Sequence, residues 1–168
     1  MVITSEMEEI LFYLHRKDNY ALFAGFAAFL HGGVEPSMDL DIFVSSPHDV
    51  KEITEDFIKK GWTLSNSHNF FSTVEKNNTT FDIIYSESAK KAFLPCALVI
   101  PYKDLLLSVI SAEALFLTKM AQVSALQRSP EKTARDRKII YILRQRIDSK
   151  KVKELLLNMD DSLWIEGW

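Results

Sequence analysis

Three acids stand in segments that are otherwise apolar. Asp39 and Asp41 lie in SMDLDIFV (37–44), and Asp82 lies in TFDII (80–84). Both stretches are rich in Leu, Ile, Phe and Val, the composition of buried strands. Successive side chains of a strand point to opposite faces, so Asp39 and Asp41 project together while Leu40 and Ile42 point the other way. If the strand of Asp82 pairs beside that of Asp39 and Asp41, three carboxylates converge on one edge of a sheet. Neither segment carries Lys or Arg, and like charges held close oppose one another's ionisation. A divalent cation relieves that repulsion, and hard oxygen ligands suit Mg²⁺ or Mn²⁺, which keep their other positions for water and phosphate oxygens. Two such ions about 4 Å apart stabilise the attacking and leaving oxygens of phosphoryl transfer. The plainer alternative places the acids on the solvent side of half-exposed strands; the second acid-bearing strand weighs against it.

A phosphate site is expected upstream. Tyr20 to Ala24 is short and apolar and runs into Gly25, reading as a strand that turns into a helix over Phe26 to His31, stopped by Gly32-Gly33. A glycine between strand and helix lets an anion approach the backbone, where the first free N–H groups of the helix favour negative charge. The junction precedes Asp39 by fourteen residues.

The remaining elements must position these groups. Ser5 is expected to cap a helix reaching about Lys17, and Met38 to Val44 is the strand after the glycine turn. Ser46-Pro47 with Asp49 reads as a helix start and Gly61 as its end. Trp62 to Leu64, Phe71 to Lys76 and Thr79 to Tyr85 read as strands, with Asn77-Asn78 as a hairpin turn. Ala97 to Ile100 is one more strand. After Pro101 the pattern changes to helices, one capped at Ser111, one begun at Ser129-Pro130-Glu131 and one near Lys150 to Met159. The expected fold class is α+β, a mixed twisted sheet flanked by helices, with residues 1–105 as the core and 106–168 as a helical part packed on it.

A chain of 168 residues, 47% apolar and 26% charged, suits one compact unit. Cys96 is the only cysteine, which excludes an intrachain disulfide and multi-Cys zinc sites and fits a reducing cytoplasm. MVITSEMEEI is acidic where a secretory leader is basic. The longest apolar run, Tyr20 to Leu30, is about half of the ~20 residues a membrane span needs, so no membrane association is expected. Residues 128–153 carry ten Lys or Arg against three acids, a local +7 in a chain of net −3. That basic module is either a solvated helix face or a surface for an anionic ligand, nucleotide or RNA.

Gly25-Phe26, Ser37-x-Asp39-Leu40-Asp41 and Phe81-Asp82-Ile83 together resemble the nucleotidyltransferase superfamily related to DNA polymerase β, whose pattern is a glycine turn, a paired acid in one strand and a third acid in another. Ala27 to Gly32, Ile110 to Leu115, and Lys119 through Arg128 followed by Lys132 and Asp136 are similar to AbiEii-type bacterial toxins and small antibiotic nucleotidyltransferases. The likeness spans residues 20–145. It implies that Asp39 and Asp41 bind Mg²⁺ or Mn²⁺ ions bridging to the phosphates of an NTP such as ATP. Asp82 would complete a metal site and help deprotonate an acceptor hydroxyl. Gly25 and the Phe26 N–H would hold the triphosphate with support from Ser37, while Lys119 and Arg128 would reach the nucleotide. The implied activity is transfer of a nucleoside monophosphate to a hydroxyl of RNA such as tRNA, of a protein or of a small molecule, with the toxin role implying a cognate antitoxin partner.

Two departures from the family pattern carry expectations of their own. Phe26 stands where the family has Gly or Ser, which puts a bulky ring where phosphate should approach. Glu35 stands where related members have Arg, and would repel a triphosphate if it faced the site. A noncatalytic binding module on the same fold is therefore the alternative to an enzyme.

Other residues offer less. His15, His31, His48 and His68 lack metal-ligand spacing, and no G-x-S-x-G elbow is present. Trp62, Phe70 and Phe71 fit core packing better than base stacking, and Trp164 and Trp168 close the chain in WIEGW.

Overall fold

The computed structural model describes residues 3–33 and 38–159. Ser37 and Glu35, like Trp164 and Trp168, lie outside the described residues. Among the described residues seven strands form one mixed sheet in the order β3-β4-β5-β2-β1-β7-β6, with seven α-helices around it. The strands are β1 (Tyr20–Phe23), β2 (Asp39–Val44), β3 (Thr63–His68), β4 (Phe71–Lys76), β5 (Thr79–Tyr85), β6 (Leu98–Tyr102) and β7 (Leu105–Val109). The helices are α1 (Ser5–Leu14), α2 (Ala24–Leu30), α3 (Pro47–Lys59), α4 (Glu87–Ala92), α5 (Ala112–Val123), α6 (Pro130–Arg144) and α7 (Ser149–Asn158). The fold class is the expected α+β. No described helix is long and apolar enough to cross a membrane.

Side-chain alternation divides the central strands. Leu40 and Ile42 of β2 stand beside Phe81 and Ile83 of β5 in parallel register, and all four are fully buried. Phe57 of α3 closes that layer, its ring 5.0 Å from Phe81 and 5.0 Å from Tyr13 of α1. Phe43 points to the opposite face, stacked on Phe23 at 3.9 Å and 5.9 Å from Phe93. Asp39 and Asp41 share that second face, so the burial of their neighbours fixes which way they point.

Helix starts follow the cap signals. Ser46, Ser86, Ser111 and Ser129 each accept a hydrogen bond from an N–H of the first turn, worth about 1 kcal/mol apiece. At α1 the cap is Thr4, whose hydroxyl accepts from Met7 N–H, rather than Ser5; the helix ends at Leu14, short of Lys17. Asn77 and Asn78 both adopt positive φ, at 47° and 66°, as a two-residue hairpin requires.

Several elements differ from the sequence reading, among them the unanticipated helix α4 and β3, which runs on to His68. The change to helices comes at Ser111 and not after Pro101, because Leu105–Val109 forms β7, parallel to β1 and antiparallel to β6. The left-handed residue at the β1–α2 junction is Ala24, with φ of 58°, while Gly25 sits inside the first turn of α2.

Candidate active site

Strand register brings the acids together. Asp41 pairs directly with Asp82 across β2 and β5, and Asp39 with Thr80. Paired residues of neighbouring strands project to the same face, so all three carboxylates stand on the side away from Leu40 and Phe81. They line one cavity of about 230 Å³ together with Ala24, Gly25, Thr80, Lys119, Gln122, Arg128, Lys132 and Arg135. Of the sequence-predicted residues, Asp39, Asp41, Asp82, Gly25, Lys119 and Arg128 meet there.

Phe26 does not. Its side chain is fully buried, 5.7 Å from the rings of both Phe29 and Tyr102. The expected obstruction by a ring at the phosphate position is therefore absent, because the helical step of about 100° per residue turns residue 26 inward while residues 24 and 25 line the cavity.

The acidic wall is electrostatically strained. Burial pushes the Asp41 carboxyl up to about 7, with the Asp82 charge beside it and that of Asp39 adding to the rise, and Lys119 opposing. Asp82 is raised too, first by burial and then by Asp39 and Glu75, against a hydrogen bond from Thr73. Two hydroxyls hold individual oxygens: Thr80 Oγ1 donates to Asp39 Oδ1 at 2.5 Å and Thr73 Oγ1 to Asp82 Oδ1 at 2.5 Å.

The opposite wall is basic. Lys119 of α5 is 4% exposed, a buried cation and not a solvated one. Its Nζ lies 2.9 Å from Asp136 Oδ1 and donates to Gln122 Oε1 at 2.8 Å; burial lowers its pKa despite the Asp136 charge. Arg128 pairs with the other oxygen of Asp136, which is itself 2% exposed. One buried carboxylate thus anchors two cations from separate elements. A signal for this existed in the sequence: Lys119 and Gln122 follow Leu115 at helical spacing, and Asp136 precedes Ile139 and Leu143 on one stripe of α6, so these polar residues occupy core-facing positions.

The donor chemistry fits a hard divalent cation: the ligand atoms are carboxylate oxygens that disfavour one another's charge. Among the described residues no group of three His, Cys, Asp or Glu is gathered tightly enough to hold a metal ion by itself. Mg²⁺ does not need such a cage, since it commonly binds through one or two carboxylates plus water and substrate phosphates.

Trp62 packs in the core, its Nε1 donating to Glu9 at 3.0 Å. Phe70 is half exposed and Phe71 lies outside the core, so core packing holds only for Trp62. His31 bonds to the Ile110 carbonyl, and His15 to the Leu106 backbone.

The fold recurs in solved structures. The antibiotic-resistance factor ANT(2″)-Ia superposes with a TM-score of 0.62 at 14% identity, covering 90% of this chain and 90% of that one. The lincosamide antibiotic adenylyltransferase LnuA, with lincomycin bound, gives 0.61 at 18% identity, covering 86% of this chain and 99% of that one. The fold is that of the nucleotidyltransferases. An antigenic nucleotidyltransferase-like protein from Paracoccidioides brasiliensis shares this nucleotidyltransferase fold at 0.59 and 13% identity, over 94% of this chain and 88% of that one. No family model and no curated protein matches the sequence, so the likeness is one of fold.

Proposed function

We propose that the protein is a Mg²⁺- or Mn²⁺-dependent nucleotidyltransferase moving a nucleoside monophosphate from an NTP to an acceptor hydroxyl. The observation that carries this reading is the single cavity with Asp39, Asp41 and Asp82 on one wall and Lys119, Arg128, Lys132 and Arg135 on the other. An acidic wall facing a basic one matches a metal-bound polyphosphate, which offers each wall the opposite charge.

In the proposed reaction the acceptor oxygen forms a bond to the α-phosphorus, the bond from that phosphorus to the bridging oxygen breaks, and pyrophosphate leaves. The hydroxyl proton passes to Asp82. Asp39 and Asp41 would hold the cation, with Asp82 completing a site; when bound, it supplies positive charge that polarises the phosphate oxygens. Lys119 and Arg128, fixed by Asp136, meet the charge that grows on the departing pyrophosphate. Arg128 Nε is a buried N–H without a hydrogen-bond partner among the described residues, a donor available to a phosphate oxygen. Gly25 lines the cavity, and by the family resemblance the Phe26 N–H would help hold the triphosphate, with Ser37 in support. Catalysis is mainly positioning and charge stabilisation.

The sheet face beyond Asp82 carries Thr73, Asn66, Glu75, Phe71 and His68 in register, with no Lys or Arg. Of the basic residues of α6, Lys132 and Arg135 line the nucleotide cavity, while Arg137, Lys138 and Arg144 are exposed. The acceptor hydroxyl belongs to RNA such as tRNA, to a protein or to a small molecule. The resemblance to AbiEii-type toxins extends the proposal to one half of a toxin–antitoxin pair in the cytoplasm, with a cognate antitoxin protein silencing transfer.

Calorimetric titration with each NTP tests the reading: binding is expected with Mg²⁺ and lost on chelation or in Asp39→Ala. Binding indifferent to Mg²⁺ and to Asp39→Ala would refute the metal site, and no NTP binding would identify the noncatalytic module.

A further inference from the structure

We infer that Thr73 of β4 is a positioning residue that sets which carboxylate oxygen of Asp82 serves the reaction. The inference rests on the transferase reading above and extends it one strand outward.

The acids form part of a cross-strand row. Asp41 on β2 pairs with Asp82 on β5, and Asp82 pairs in turn with Thr73 on β4. Asp82 therefore has a like charge on one flank and a hydroxyl on the other. Thr73 Oγ1 donates its proton to Asp82 Oδ1 at 2.5 Å. A hydroxyl has one hydrogen to give, and spending it on Oδ1 fixes the rotation of the carboxyl group about its last bond. Oδ2, which does not take that bond, is then the oxygen set to accept the proton of the acceptor hydroxyl.

The backbone makes this hydroxyl a precise one. Thr73 is β-branched, so its side-chain rotamer is restricted on a strand, and β4 is held on both sides by ladder pairing to β3 and β5. The geometry recurs one row away, where Thr80 Oγ1 donates to Asp39 Oδ1. At the middle of the site, where Asp41 stands, the paired residue is a carboxylate instead. Two of the three acids are thus oriented by a cross-strand threonine. Rotation of Asp82 toward Asp41 is opposed by their charges, but repulsion alone leaves the carboxyl free to turn either oxygen outward. The hydroxyl removes that freedom, which is what a reaction needing one oriented base requires.

The test compares Thr73→Val with Thr73→Ser. Valine keeps the shape and the strand preference but removes the hydroxyl; serine keeps the hydroxyl and loses the methyl group. Three readouts are taken on the purified full chain: thermal midpoint, Mn²⁺ affinity by electron paramagnetic resonance, and steady-state nucleotidyl transfer. Removing a group that orients a ligand or base commonly costs about 10- to 100-fold in activity or metal affinity. The expected result for Thr73→Val is a fall in kcat of about tenfold or more with KM for the NTP within about twofold, and weaker Mn²⁺ binding, at a thermal midpoint near that of the parent; Thr73→Ser restores kcat and Mn²⁺ affinity. A Thr73→Val protein with parental kcat and Mn²⁺ affinity overturns the inference alone. Equal losses in the valine and serine variants, tracking the thermal midpoint, overturn it in favour of a packing role. A parent that neither binds Mn²⁺ nor transfers a nucleotide overturns the functional reading and this inference with it.

Discussion

Replacing Asp41 by Asn should make the protein more stable while removing its activity. The two side chains are nearly isosteric, so the substitution changes charge and leaves packing intact. Asp41 is raised from an ordinary 3.8 to about 7, a difference of about three units at roughly 1.4 kcal/mol each. Ionising it in the folded chain without a cation therefore costs up to about 4 kcal/mol. The folded pKa lies above the unfolded one, so the native state binds the extra proton between about pH 4 and pH 7 and stability falls as pH rises through that window. Urea unfolding of parent and variant in the presence of a chelator reads the difference directly. At pH 8 Asp41→Asn should be the more stable by about 2–4 kcal/mol, and at pH 4 the two should agree within about 1 kcal/mol. Adding Mg²⁺ should stabilise the parent and leave the variant unmoved. An Asp41→Asn protein less stable than the parent at pH 8 under chelation would refute the reasoning, because it would show a carboxylate held by favourable contacts.

Three further substitutions separate the parts of the account. Asp136→Asn should lower stability by about 3–5 kcal/mol, since breaking a buried ion pair strands its cations, and should abolish transfer; denaturant midpoints and the transfer assay read the two losses. Phe26→Ala should cost about 3–5 kcal/mol as a core truncation without improving NTP affinity, whereas a ring blocking the phosphate site would give tighter binding on removal. Ala24→Gly should raise the unfolding midpoint by up to about 1 kcal/mol equivalent, because glycine carries no penalty for the left-handed conformation that Ala24 adopts.

The acids were legible because strand alternation is strict: with Leu40 and Ile42 committed to the core, Asp39 and Asp41 had one face left, and the same logic applied to Asp82 between Phe81 and Ile83. Helix starts were legible at Ser46, Ser111 and Ser129, where a serine precedes the first turn, but not at Ser86, which caps the short helix α4. Thr4 and Ser5 are both good caps, so the choice between them was made by tertiary contact, Thr4 Oγ1 lying 3.3 Å from Thr79 Oγ1. β7 was missed because Leu105-Leu106-Leu107 has no preference for strand over helix, and only pairing with β1 and β6 decides it. The turn at Ala24 was placed on Gly25 by intrinsic preference, which the packing of Phe26 overrode. Lys119 was legible as a nucleotide-reaching residue through the family resemblance, and helical spacing puts it and Asp136 at core-facing positions; their pairing follows from α5 and α6 packing together, a relation between distant segments that local composition does not encode.

The most direct test of the central claim is transfer of label from an NTP carrying ³²P at the α-position, in the presence of Mg²⁺ and a cell extract fractionated into small molecules, proteins and RNA. The account predicts labelled product with equimolar pyrophosphate, abolished by chelation and in Asp39→Ala, Asp41→Asn and Asp82→Ala alike. Transfer that survives loss of any one of these carboxylates would contradict it.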